Sequence, residues 1–63
     1  MQGEPRQTIQ YGKRTCQLVN EYHDPQAAFA KEQQLEDMGV MAITRKWYSR
    51  WIVYRCGQRK GYR

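Results

Sequence analysis

The residues best suited to do chemistry are cations and aromatic rings interleaved in the last third of the sequence. Residues 40–63 hold seven Lys and Arg and no Asp or Glu, a local charge of +7, whereas residues 1–39 carry −2. A segment without carboxylates cannot neutralise its own charge, so it favours polyanions or an acidic protein surface. Trp47, Tyr48, Trp51 and Tyr54 lie among these cations. The pattern therefore predicts an anionic partner.

Aromatic rings set among cations are typical of surfaces that stack a base and hold its phosphates. We predict that Trp51 is the stacking platform and that the cations around it contact phosphates. The candidate binding residues are Arg45, Lys46, Arg50, Trp51, Arg55, Arg59, Lys60 and Arg63. The segment 50–54 lacks the glycines of the RNA-recognition signature. The leading hypothesis is a small basic nucleic-acid-binding module, of a kind that phages and mobile elements encode.

The alternative hypothesis is a protein inhibitor or adaptor. In this case the same basic, aromatic hairpin covers an acidic surface of a partner protein, since arginine and tryptophan also dominate protein hot spots. Retained nucleic acid in the purified protein would distinguish the two hypotheses.

Residues for catalysis or metal binding are sparse. Ser49 is the only serine, and it has no histidine near it in the sequence. Cys16, His23 and Cys56 show no zinc-ligand spacing. No glycine-rich phosphate loop is present. The sequence predicts a protein that is not an enzyme and that uses no metal or cofactor.

The two cysteines, Cys16 and Cys56, lie in predicted strands. They would be neighbours if the first strand paired antiparallel with the last, which makes a disulfide geometrically feasible. A cytoplasmic location keeps thiols reduced, and a free cysteine behaves as a small buried apolar residue. We therefore favour two buried thiols over a disulfide.

A helix over residues 25–38 has the clearest local signals. Asp24 can cap the first turn, Pro25 suits the first helical position, and Gly39 suits the left-handed position after the last turn. Phe29 lies opposite the apolar stripe of this helix, where it either contacts a neighbouring loop or is an exposed aromatic ring available to a partner, and we favour the loop contact.

β-prone runs flank this helix. They predict a strand at 15–22 and a hairpin of strands at 40–46 and 50–56, and Gly12-Lys13 could turn a weaker arm at 8–12. The predicted fold is α+β: a β-α-β-β domain over residues 8–56, with a three-stranded sheet and one helix packed on one face. Residues 1–7 are predicted to be a flexible lead-in and residues 57–63 a mobile basic tail.

Alternation along the strands divides their residues between two faces of the sheet. The set expected to meet the helix is Cys16, Leu18, Met41, Ile43, Ile52 and Tyr54. The set expected to stay open is Val19, Val40, Ala42, Thr44, Lys46, Trp51, Val53 and Arg55. The open face would either stack nucleic acid or pack against a second copy of the sheet in a homodimer. These two uses exclude each other, and both stay open.

The composition is 40% hydrophobic and 27% charged, too aromatic for a disordered chain and too polar for a membrane span. No membrane association is expected. Without an apolar leader at its start, the chain is predicted to be cytoplasmic.

Overall fold

The computed structural model describes residues 3–58, which form one α-helix and a four-stranded antiparallel sheet. The elements are β1 (Thr8–Tyr11), β2 (Arg14–Tyr22), α1 (Pro25–Asp37), β3 (Val40–Trp47) and β4 (Arg50–Gln58). The strand order is β1-β2-β4-β3, with β4 pairing antiparallel to both β2 and β3. The α+β class is thus confirmed.

The predicted three-stranded, β-α-β-β arrangement is wrong by one strand. The arm expected at 8–12 forms β1, which pairs with β2 in a register that matches Ile9 with Cys16. Gly12, with a φ of 65°, turns the chain between these strands. Glycine adopts this left-handed conformation at little cost, so Gly12 suits the turn.

Helix α1 begins and ends as its local signals predict. The carboxylate of Asp24 accepts a hydrogen bond from the Gln26 amide at 3.1 Å, and Pro25 is the first helical residue. Gly39, with a φ of 83°, follows the helix end. The helix packs on the sheet through buried Ala28 and Leu35.

The two faces of the sheet are exchanged relative to the prediction. The face beneath α1 holds buried Ala42 and Val53, with Val19, Val40 and Trp51 packed against them. These residues were expected on the open face, so the surface assigned to stacking or to a second sheet is covered by the chain's own helix. Both alternating sets are apolar, and alternation alone therefore does not indicate which set faces α1.

The opposite face forms a second apolar cluster. Buried Cys16, Ile52, Tyr54 and Cys56 make its centre. The partly buried residues around it are Ile9, Leu18, Met41, Ile43 and Trp47. A small sheet that buries apolar side chains on both faces needs a cover for each.

Residues 3–7, which the sequence assigned to a flexible lead-in, supply part of that cover. Pro5 is buried. The Tyr54 hydroxyl donates to the Arg6 carbonyl at 2.8 Å, the Trp47 indole N–H donates to the Gly3 carbonyl at 3.4 Å, and the Leu18 amide donates to the Gln7 carbonyl at 2.8 Å. We call residues 3–7 the N-terminal strap.

Cys16 and Cys56 form a disulfide, so the prediction of two buried thiols is wrong. Their strands pair antiparallel as the geometric argument required, with Gln17 matched to Arg55 one position away. Disulfides are rare in cytosolic proteins. The cytoplasmic location stays a prediction, and the disulfide counts against it.

Strand β4 continues to Gln58, two residues beyond the predicted end of this strand at Cys56. The candidate binding residues Arg59, Lys60 and Arg63 lie outside the described residues. The candidate site therefore consists of the residues that β3 and β4 carry.

Candidate nucleic-acid interface

The hairpin end of β3 carries the densest group of cations and rings in the described chain. Strands β3 and β4 turn at Tyr48-Ser49, and Trp47 pairs with Arg50 across the turn. Alternation sends Arg45 and Trp47 to the face that the strap crosses and Lys46 to the face beneath α1. Because β3 is an edge strand, the two cations flank one exposed edge.

Arg45 lies against an aromatic ring at the opposite edge of the sheet. Its guanidinium carbon is 5.9 Å from the centre of the Tyr11 ring, on β1. Two other strands separate β1 from β3, and the sheet curls so that its edges approach each other over the strap face. The curl makes this face concave.

Lys46 is also held by an aromatic ring. Its ammonium nitrogen is 5.5 Å from the centre of the Trp51 ring, the residue opposite it on β4. Trp51 in turn contacts Phe29 of α1, with ring centres 5.8 Å apart, so Phe29 meets a strand instead of the predicted loop and keeps an exposed side chain. Trp51 is half-buried beneath the helix and does not lie on an open sheet face as expected, and its role in nucleic-acid binding stays a prediction.

A pocket of about 450 Å³ lies on the concave face, between the strap, β1 and the end of β3. It is lined by Arg6, Ile9, Gln10, Arg45, Lys46, Trp47 and Tyr54. Three of these residues are cations and none is an acid. We call this cavity the β1–β3 pocket.

The positive charge of the β1–β3 pocket is not neutralised by carboxylates. No salt bridge between residues 3–58 involves Arg6, Arg45 or Lys46. Arg45 and Lys46 are placed by rings instead, and a cation over a ring keeps its full charge. The pocket therefore combines apolar walls with a positive field.

The other predicted cations are arranged differently. The Arg50 guanidinium forms a salt bridge with Glu21 at 2.7 Å, so its charge is compensated. Arg55 is exposed and lies opposite Gln17 of β2 and Ala42 of β3 in the sheet. It is three residues along β4 from Ile52, the residue opposite Arg45. At about 3.4 Å per residue this separation is roughly 10 Å. The structure thus places Arg45 and Lys46 at the hairpin end of β3, pairs the neighbouring Arg50 with Glu21 and leaves Arg55 farther along β4.

Sequence reasoning missed Arg6 and Tyr11, and it did not single out Trp47. Arg6 lies in the strap, for which no periodic signal exists, and Tyr11 reaches Arg45 only because the sheet curls. Trp47 was assigned to the hairpin connection, whereas it is the last residue of β3. The interleaving of rings and cations was the signal that could have identified Trp47.

Tyr54 lines the pocket, and its hydroxyl stays protonated at neutral pH. Burial raises the pKa of this phenol above its ordinary value; Arg45 lowers the pKa, Glu21 raises it and Arg6 lowers it. A protonated phenol donates to the Arg6 carbonyl and leaves the pocket without a negative charge.

Residues 3–58 were also searched for a metal site and for a membrane-spanning helix. No group of three or more His, Cys, Asp or Glu in this range is placed to hold a metal ion. No helix in the described part of the chain is long and apolar enough to cross a membrane. Comparison of the chain with protein-family models, curated proteins and solved structures gives no match.

Proposed function

We propose that this protein is a nucleic-acid-binding module that acts without catalysing a reaction, and that its binding surface is the β1–β3 pocket and the adjoining edge of β3. One observation carries the proposal: Arg45 and Lys46 flank one strand edge, each fixed over an aromatic ring and neither paired with a carboxylate. Uncompensated cations at a fixed spacing release counterions when they meet phosphates.

The distribution of acidic residues supports this surface over others. Helix α1 carries Glu32, Glu36 and Asp37 against Lys31 and would repel a polyanion. The helix covers one face of the sheet, which leaves the concave strap face and the β3 edge for a phosphate backbone. The acidic side chains of α1 thus lie on the opposite side of the sheet from Arg6 and Arg45, although Glu4 belongs to the strap and Glu21 pairs with Arg50.

Salt dependence tests the proposal. The affinity of a labelled single strand and of a duplex is measured by anisotropy at several salt concentrations, for the natural chain and for Arg45→Gln and Lys46→Gln. Each substitution should flatten the slope of log affinity against log salt by up to about 0.7 for a single strand and about 0.9 for a duplex. Arg50→Gln is the matched control, because its guanidinium is already paired with Glu21.

A slope that Arg50→Gln lowers as much as Arg45→Gln would contradict the assignment of the surface. Absence of salt-dependent binding to every nucleic acid tried would contradict the function itself. That result would favour the inhibitor or adaptor hypothesis, in which the same cations meet an acidic protein.

A further inference from the structure

We propose that the preferred ligand is single-stranded nucleic acid and that the β1–β3 pocket takes one unstacked nucleotide from it. This inference rests on the proposed function and adds the class of nucleic acid and the place of the base. It is carried by the shape of the surface, the charge of the helix and the fixed orientation of Trp47.

The binding surface is concave, which disfavours a duplex. The bases of a duplex are stacked inside it, and a protein reads them with a helix or ribbon that protrudes into a groove. A pocket receives a base only when that base has left the stack, as in single strands and at strand ends. The concave face of this protein therefore suits an unpaired nucleotide.

Helix α1, the only helix among residues 3–58, is poorly suited to enter the groove of a duplex. Helix α1 holds one lysine and three acidic residues, a net charge of −2. Its entry into a groove lined by phosphates would be opposed by repulsion. Recognition of a duplex through α1 is therefore disfavoured on charge as well as on shape.

The walls of the pocket match the two parts of a nucleotide. Ile9, Trp47 and the ring of Tyr54 provide apolar surface for a base, while Arg6 and Arg45 provide positive charge for phosphates. The Lys46 ammonium lies over Trp51 on the other side of the β3 edge, where it can meet a phosphate outside the pocket. The volume of about 450 Å³ lies within the usual range of roughly 300–1,000 Å³ for small-ligand sites. It fits one nucleotide, with the neighbouring phosphates outside along the β3 edge.

Trp47 is oriented before any ligand arrives. Its indole N–H donates to the Gly3 carbonyl at 3.4 Å, and its ring packs edge-on against Tyr48 at 5.1 Å between ring centres. The indole is half-buried, so part of its surface is open to a ligand. A ring that is already fixed loses little conformational freedom on stacking, and this favours binding.

The experiment uses the full chain with Trp51→Phe, which leaves Trp47 as the sole tryptophan. The probes are a mixed-sequence DNA single strand, the RNA of the same sequence and the DNA duplex of the same length, at one salt concentration. We expect one or both single strands to bind at least tenfold more tightly than the duplex and to quench Trp47 fluorescence.

A second variant pair assigns the contact to the pocket. Trp47→Ala should weaken single-strand binding by about 5- to 150-fold, the range expected when one base-stacking ring is removed. Because Trp47 also packs in the core, Arg6→Ala is made alongside it, since the exposed Arg6 side chain can be removed without a cavity. Arg6→Ala should weaken binding while the unfolding midpoint stays the same.

The outcomes separate this inference from the proposed function. Duplex binding as tight as single-strand binding, or single-strand binding that leaves Trp47 fluorescence unchanged, would overturn the inference and leave nucleic-acid binding intact. Absence of salt-dependent binding by all three probes would overturn both.

Discussion

Cys16 and Cys56 face each other on the two central strands, β2 and β4, and their disulfide closes a loop that contains the helix and β3. The two residues are 40 positions apart in the chain. In the chain-entropy model, a cross-link over a loop of this length stabilises the folded state by about 4 kcal/mol. This is a large share of the stability of so small a domain.

Reduction of this disulfide should therefore lower the free energy of unfolding by about 2–4 kcal/mol. The measurement is urea unfolding with and without dithiothreitol, followed by tryptophan fluorescence. The double variant Cys16→Ala, Cys56→Ala should resemble the reduced chain and should not respond to the reductant. An unchanged midpoint on reduction of the natural chain would show that the bond does not constrain the fold.

The Asp24 cap gives a second prediction. Replacing Asp24 by Ala removes the acceptor of the Gln26 amide and should lower the free energy of unfolding by about 1 kcal/mol. Asp24→Asn is the matched control, because asparagine caps almost as well. Equal stability of the Ala and Asn variants in denaturant titrations would mean that the cap contributes nothing.

The β3–β4 turn gives a third prediction. Tyr48 has a φ of 55°, a left-handed conformation that is costly for any residue with a Cβ, and its side chain is 56% exposed. Tyr48→Gly and Tyr48→Ala both lose the ring, but only glycine relieves the backbone. The Gly variant should therefore be the more stable of the two by about 0.5–1 kcal/mol, the reverse of the usual order.

Gly12 allows the opposite substitution, in which a Cβ is added to a residue with a positive φ. Its φ of 65° lies in the same region, and a Cβ there would meet no atom within 4 Å, so Gly12→Ala reports backbone conformation without a clash. This substitution should cost about 1 kcal/mol. If Tyr48→Gly is no more stable than Tyr48→Ala while Gly12→Ala is destabilising, the turn at Tyr48 is not strained.

The Tyr54 phenol gives a prediction on pH. Its pKa is raised in the folded state, chiefly by burial, so folding favours the protonated form. This contribution to stability is fully present below the ordinary tyrosine pKa of about 10 and is lost as the pH rises through the folded pKa.

Unfolding free energies measured across this alkaline range should fall more steeply for the natural chain than for Tyr54→Phe. Tyr48→Phe removes an exposed hydroxyl and should keep the natural dependence, since Tyr54 is intact. Identical slopes for the natural chain and Tyr54→Phe would contradict the prediction.

Local signals were sufficient to predict the helix. A capping aspartate, a proline at the first turn and a glycine after the last turn act on adjacent backbone groups, so no tertiary contact is needed to interpret them. The strands at 15–22, 40–46 and 50–56 were also predicted to within two residues at each end. The helix and the strands each have a characteristic residue period, which can be recognised in the sequence.

Local signals did not predict which face of the sheet packs against α1. Val53 and Ile52 are both apolar and fully buried, one beneath the helix and one beneath the strap face. Alternation separates them but gives no sign of which belongs to α1. The sheet is also interrupted between Leu18 and Asn20, where the register with β4 shifts. Such irregularities change which side chains are neighbours, and no turn residue marks this one.

The strap and the pocket were missed for a related reason. The strap is fixed by the carbonyls of Gly3, Arg6 and Gln7, groups that every residue type possesses. Because every residue has a main-chain carbonyl, the sequence does not indicate which carbonyls will accept these hydrogen bonds. The cations of the pocket were visible in the sequence, but their partners on the strap and β1 depended on these contacts and on the curl of the sheet.

The position of β4 in the sheet has a consequence for how the protein is made. It is the last described strand to leave the ribosome, yet it lies between β2 and β3 and pairs with both. Until it emerges, the hairpin of β1 and β2 and the helix with β3 have no strand to join them, so the four-stranded sheet cannot assemble before β4 has been synthesised. Cys56 lies on this strand, so the native disulfide cannot form before β4 has been synthesised, and until then the thiol of Cys16 lacks the partner that protects it in the folded domain.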